Sequence, residues 1–350
     1  MIQKCREIHS LLKRYISFLE EHAKSGPVLG FIIIICLPAG IIGCHYPDIT
    51  PEKVTSETVI DVKSASGTIK GNNPVDILIF DRRSGRLNTY QRIESPASWK
   101  LKASSSEGDM LFTVLSNVRM EEYGWAEIRS RENLGKITVN LEDETRAYPS
   151  MSGECTGYSG STLSLNLTRR SAEIRIREIS CDFISNAYSG YTIENPKIYL
   201  INVNAETTII GDSHSTAIRI INAGRLDYGD LGKFKEPGLI YHELSKSIGK
   251  NPIYPDIRFI CYPNHVITES PGTPATRLVI EGEIMGKRYF WPISINLKDN
   301  GIEGNCLYTY DIHITRPGTS DPDIPIELGS GEIIMETEKW KDTEEYGVHF

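Results

Sequence analysis

The sequence predicts an all-β protein. Apolar and polar residues alternate over several short runs, turn residues separate those runs, and no stretch of ordinary helix length carries a clear 3.6-residue period. The clearest alternation sets Leu163, Leu165 and Leu167 against Ser164 and Asn166, then Ala172, Ile174 and Ile176 against Glu173, Arg175 and Arg177. A period of two over that length describes half-buried strands with one wet face. Arg169 and Arg170 stand where the two alternations meet, as at a bend or bulge.

The other elements follow in chain order. Residues 59–62 are short and β-branched. Residues 75–80 form a strand ending at Asp81, with a turn through Ser84 and Gly85 and a hairpin partner over 87–93. Residues 110–118 are apolar enough for a buried strand, and 136–141 and 197–203 continue the pattern. Residues 204–250 are mixed and glycine-rich, with a turn or two of helix expected over 241–248. Strands resume over 257–262, 276–284, 288–295, 307–316 and 332–340. Many short strands with turns between them point to β-sandwiches. A length of 350 residues suits two domains, expected over 58–210 and 211–350.

The N-terminus has a different character. Residues 1–25 carry Lys4, Arg6, Lys13, Arg14 and Lys24, together with Glu7, Glu20 and Glu21. An apolar run of about 16 residues follows, near signal-peptide length and short of the ~20 a membrane span needs. It ends in Ile41-Ile42-Gly43-Cys44, which matches the bacterial lipobox. Residues 1–43 are therefore expected to be a lipoprotein signal peptide and 44–57 a tether. The Cys44 thiol would take a diacylglycerol, and cleavage before it would free an amine for a further acyl chain. Several chains anchor stably at ~0.8 kcal/mol per buried methylene, where one is marginal. The competing reading is an uncleaved N-terminal membrane helix; on either, the remaining chain lies outside the cytoplasm.

Charge and composition narrow the function. The net charge is −8, and loss of residues 1–43, with five basic and three acidic side chains, leaves −10. That balance argues against nucleic acid and anionic lipid surfaces as partners. Cys155, Cys181, Cys261 and Cys306 are far apart in sequence, so two disulfides or four buried thiols are both open. No catalytic constellation, cofactor motif or metal spacing is present: the eight histidines are scattered, and Gly157-Tyr158-Ser159-Gly160-Ser161 has the wrong order for a nucleophile elbow. Asp321 and Asp323 are too few for calcium and read as a turn. Tyr289, Phe290 and Trp291 read as core. The chain is expected not to be an enzyme.

Several stretches in a fixed order resemble the fimbrillin superfamily of Bacteroidetes fimbrial subunits. They are the strand pair over 75–90, the Met151-Ser152-Gly153 loop leading into 163–176, the segments 259–264 and 276–296, and the closing stretch 302–326 with the strand to Trp340. The resemblance implies two transthyretin-like β-sandwich domains in tandem and export as an outer-membrane, surface-exposed lipoprotein anchored through Cys44. It implies other fimbrial subunits as partners and adhesion to a host or bacterial surface ligand. For polymerising members it also implies proteolytic removal of the first strand, whose groove another subunit's C-terminal strand then fills by β-addition. Mapped here, the candidate cleavage points are Lys63, Lys70 and Arg82, and the candidate donor residues are Ile333, Ile334, Met335, Val348 and Phe350. No arginine lies between Cys44 and Arg82, which departs from arginine-specific processing and leans toward an anchor or accessory subunit, or a lysine-tolerant protease. The alternative function is a surface glycan-binding lipoprotein of a nutrient-uptake system, which exposed coplanar aromatics would favour.

Overall fold

Alternating side chains force each strand to present one face to a core, and the computed structural model shows two such cores. The structure describes residues 55–64, 74–118, 127–211, 219–266, 268–295, 301–324, 326 and 333–339. The expected signal peptide, Cys44, Lys70, Val348 and Phe350 lie outside these residues. The chain is nearly all β, as the sequence predicts.

Strands β1 (Thr55–Ser64), β2 (Val75–Asp81), β3 (Leu87–Ile93), β4 (Lys100–Ser106) and β5 (Asp109–Ser116) open the chain. After β6 (Thr138–Asn140) come β7 (Met151–Tyr158) and β8 (Thr162–Arg169). Seven of these eight form one sheet in the order β3-β2-β5-β7-β8-β1-β4. Its neighbours are antiparallel except β1 and β8, which run parallel. The join between β7 and β8 is narrow, with only the pairs Met151–Arg169 and Ser152–Thr168. Inward residues from either side of that join share one core: Ile60, Leu101 and Leu165 meet Ile77, Phe112 and Val114. The sheet thus doubles over at β7–β8 and encloses its own apolar face. Gly153 permits this, because a Cβ there would overlap the Asn166 carbonyl oxygen and the Leu165 side chain.

The chain then builds two four-stranded sheets from β9 (Ala172–Cys181), β10 (Glu194–Ile201), β14 (Tyr241–Glu243), β15 (Ile257–Cys261), β16 (Arg277–Ile284), β17 (Lys287–Ser294), β18 (Cys306–Ile314) and β19 (Ile333–Lys339). Their orders are β14-β10-β16-β17 and β15-β9-β18-β19. Ile174, Ile198, Ile280, Trp291, Tyr308 and Tyr310 fill the space between them. Three short strands, β11 (Val203–Asn204), β12 (Glu206–Thr208) and β13 (Ile220–Ile221), complete local pairs, β12 with β6. Helices α1 (Arg131–Leu134) and α2 (Tyr228–Leu231) are single turns. The second core runs on without a break to the outer face of β2 and β5 through Leu78, Phe80 and Leu115, and Val54–Phe350 makes one compact unit.

Each sandwich repeats one plan. The first strand (β1 or β9) lies between the fourth (β4 or β15), antiparallel, and the last (β8 or β18), parallel. The second strand (β2 or β10) lies between the third (β3 or β14) and the fifth (β5 or β16), and the fifth pairs with the sixth (β7 or β17). Among the described strands of the two four-stranded sheets, β19 has no counterpart in the first sandwich.

Sheet membership changes at Arg170 and Ser171, and the expected domain division near 210 follows β12. The two alternations that meet at Arg169 and Arg170 belong to different sheets, and the Arg170 guanidinium fixes the crossing by donating to the Thr208 and Gly211 carbonyls, each at 2.9 Å. The turn of helix expected over 241–248 is instead β14 followed by a bridge between Ile193 and Ile248, because pairing with β10 satisfies that backbone.

Cys155, Cys181, Cys261 and Cys306 form no disulfide with one another. Cys261 pairs with Ala172 from one side of β9, and Leu307 pairs with Glu173 from the other, so Cys306 sits across Ala172 from Cys261. Two strand spacings, ~9–10 Å, exceed the ~7 Å limit for a disulfide. Burial pushes the Cys155 thiol up to about 11 and those of Cys181 and Cys261 to about 12. Iodoacetamide at pH 8 is expected to leave these three unlabelled in the native protein. In denaturant without reductant it is expected to label all four, read by peptide mass spectrometry.

Candidate assembly site

The structure gives β1 an unusual position for a first strand: it lies inside a sheet, with both edges paired. Its sequence, Thr-Ser-Glu-Thr-Val-Ile-Asp-Val-Lys-Ser, alternates so that Thr58, Ile60 and Val62 point into the core while Glu57 and Lys63 face water. Ile60 is fully buried and Val62 is 4% exposed. On one side β1 pairs antiparallel with β4 from Thr55–Ser106 to Asp61–Lys100, and a Lys102–Glu57 ion pair at 2.9 Å closes the outer face. On the other it pairs in parallel with β8 from Val59–Thr162 to Ser64–Leu167. The Thr58 hydroxyl accepts the Gly160 N–H at 2.9 Å, fixing the start of the strand against the β7–β8 turn.

Taking β1 away would therefore leave two unpaired strand edges, on β4 and β8, facing each other across an apolar floor of Leu101, Ala103, Leu165 and Leu167. Ile60 and Val62 would each forfeit about 1.5–3 kcal/mol of burial. Such a groove accepts an extended segment with apolar residues at every second position, and no other chemistry is built into it.

Lys63 is exposed near the end of β1, opposite Asn166. Arg82 is exposed in the β2–β3 turn, paired with Asp109 at 3.0 Å. A cut at Arg82 would release β2 as well as β1, and Ile77, Leu78, Ile79 and Phe80 of β2 are all buried. Among the donor candidates, Ile333, Ile334 and Met335 lie in β19, opposite Ile312, Asp311 and Tyr310 of β18. They complete a sheet of their own chain and are not brought to β1. Met335 packs on the second core while Ile334 is 57% exposed, so these two point to opposite faces. Among the described strands β19 is at the edge of its sheet, paired with β18.

Sequence reasoning missed β4, the strand that flanks β1. The signal was present: Leu101, Ala103 and Ser105 point inward between exposed Lys100, Lys102 and Ser104. Small residues make that alternation faint. The aromatic triple at 289–291 splits, with Tyr289 and Trp291 buried in the core and Phe290 on the opposite face. Among the described residues, no group of three or more His, Cys, Asp or Glu could hold a metal ion, and no helix is long and apolar enough to cross a membrane.

With this architecture established, comparison with solved structures is decisive for the fold. A candidate cell adhesion protein of Parabacteroides distasonis superposes with a TM-score of 0.60 at 14% identity, covering 82% of this chain and 97% of that one. The chain has the fimbrillin fold. A fimbrilin of Porphyromonas gingivalis matches with a TM-score of 0.57 at 14% identity, over 81% of this chain and 96% of the other. A candidate cell adhesion protein of Bacteroides eggerthii gives 0.58 at 17% identity, over 81% and 95%. No family model and no curated protein matches the chain.

The two strands should respond differently to truncation. Ile60→Ala, at a fully buried site in β1, is expected to cost about 2–5 kcal/mol in urea unfolding. Ile334→Ala, on the wet face of β19, is expected to stay within about 0.5 kcal/mol of the parent.

Proposed function

We propose that this chain is a structural subunit of a cell-surface fimbrium that takes part in adhesion, carried to the outer membrane by a lipid on Cys44 and joined to other subunits through the groove that β1 fills. The observation that carries the reading is the inner position of β1. A strand whose removal opens two backbone edges and an apolar floor at once is suited to replacement by a strand from a neighbour. The fimbrillin fold supports the same reading. The chain would comprise two sandwich domains, each with the repeated strand order, and act by binding rather than by catalysis.

The candidate cleavage points differ in what each would release. Cleavage after Lys63 would free nearly the whole of β1 and leave β2 in place, whereas cleavage after Arg82 would also extract the central strand of the β3-β2-β5 group. Lys63 or Lys70 is therefore the proposed processing point for a polymerising subunit. A subunit that keeps β1 would keep its lipid and sit as the anchor. The C-terminal segment, with Ile333 and Met335 on one side of β19, is the proposed donor.

Mass spectrometry of the N-terminus, on protein from outer membrane and from sheared fimbriae, tests this. The expected species are a lipidated Cys44 in the membrane and, in fimbriae, a free N-terminus following Lys63 or Lys70. A chain beginning at Met1 in both fractions, or absent from fimbriae and unattached to them, overturns the reading. In parallel, a chain cut after Lys63 should regain a sharp thermal transition when given a synthetic 55–64 peptide, and should not regain it with the Ile60→Asp peptide.

A further inference from the structure

The second sandwich has an open cleft on the outer face of β14-β10-β16-β17, away from its core and unrelated to β1. Strand registry sets its floor. Lys197 lies opposite Glu281, which lies opposite Phe290, and one row on Tyr199 lies opposite Tyr241 and Val279. The segment through Arg225 and Tyr228 makes one wall, and Ser320 to Pro322, in the β18–β19 connection, makes the other. The open cleft has a volume of about 410 Å³, within the range of small-ligand sites.

The walls are held in place. Thr319 and Phe290 exchange both backbone hydrogen bonds, at 2.8 and 2.9 Å, and a Cβ at Gly318 would overlap the Phe290 carbonyl. Asp323 accepts from Arg277 at 2.6 Å and from Asn202 at 2.8 Å, and Arg277 is 3% exposed. On the opposite side Asp227 caps α2 by accepting the Gly229 N–H at 2.7 Å. The Tyr228 ring is 59% exposed, meets Tyr241 edge-on at 6.2 Å and has the Lys197 ammonium 6.0 Å from its centre.

The polar groups divide by sign. The carboxylates are already engaged: Glu281 accepts the Tyr199 hydroxyl at 3.0 Å and faces Arg288 at 3.4 Å, and Asp321 accepts the Asp323 N–H at 2.8 Å. The cations keep donors to spare. Arg225 has no hydrogen bond or ion pair among the described residues. Arg288 has the one ion pair and a largely exposed side chain, and Lys197 donates to the Tyr228 hydroxyl at 3.2 Å. Three cations converging on a polar cleft call for an anion, since guanidinium groups fork onto carboxylates. A broad tyrosine ring beside them calls for a flat apolar face, which a pyranose presents through its C–H bonds. An acidic sugar carries both on one residue.

We propose that this cleft binds an acidic glycan, a uronate or a sialate, with the sugar carboxylate between Arg225, Arg288 and Lys197 and a ring face on Tyr228. This goes beyond subunit assembly and does not depend on it, since no residue of β1 takes part. It gives the second sandwich a ligand class of its own.

Isothermal titration calorimetry of the full chain tests it, with trigalacturonate and 3′-sialyllactose as probes. The neutral counterparts are trigalacturonate methyl ester and lactose, and hexaglutamate serves as the acidic peptide. One acidic sugar or both should bind at least about tenfold more tightly than its neutral counterpart and than hexaglutamate. Which one binds names the source. Tyr228→Ala and Arg288→Gln should each weaken that binding by about tenfold or more, with thermal unfolding unchanged because both side chains are exposed. Tyr228→Phe, which keeps the ring, should retain it. No binding by either acidic sugar, equal binding of neutral sugars, equal binding of hexaglutamate, or unaltered binding in both weakening variants overturns the proposal, whatever the outcome for β1.

Discussion

The parallel pairing of β1 with β8 is the constraint on which the first sandwich depends. The two strands are about a hundred residues apart in sequence, yet Val59 to Ser64 match Thr162 to Leu167 residue for residue. Nothing local can bring them together. The chain must first lay down β2, β3, β5 and β7, double over at the narrow β7–β8 join, and return β8 to meet the first strand. Loop-closure entropy opposes such distant pairs until other contacts have formed. β1 is thus the first part of the domain in sequence, and one of its two partners, β8, is the last. Its alternating Thr58, Ile60 and Val62 then close a core that the rest of the sheet leaves open.

The second sandwich solves the same problem with the same strand order, but adds β19 beside its last strand. There the first strand, β9, is continuous at its N-terminal end with β8 through Arg170 and Ser171, so it is tied in place at both ends by ordered chain. The two equivalent strands have matching hydrogen-bonding surroundings, so the repeat is one of architecture.

Much of this was legible in the sequence. Alternation placed residues 75–80, 163–167 and 172–176 in strands, β-branching placed 59–62, and the turn after Asp81 placed 87–93 as a hairpin partner. β4 escaped because Ala103 and Ser105 are buried by tight pairing with β1 rather than by their own hydrophobicity. The change of sheet at Arg170 was visible as a bend, but a bend does not say which sheet each arm joins. That depends on β15 and β18, read only once the chain has folded. The acidic-sugar cleft had no linear motif, since Lys197, Tyr228, Glu281 and Arg288 come from three strands and a single helical turn. The donor residues of β19 were legible as a strand with one apolar face, and their partner was not.

The clamp on the β18–β19 connection has a mechanical meaning. The Phe290–Thr319 bonds and the Arg277–Asp323 pair fasten the chain to β16 and β17 just before it leaves toward its last strand. Tension applied to the C-terminal end would be met at these ties, two of them backbone bonds on a strand edge and one a buried guanidinium, before it reached the sandwich core. The fold therefore places a joint at the root of its final strand, so that a molecule pulled from that end would peel β19 from β18 before straining these ties, and its glycan-facing wall would stay in place.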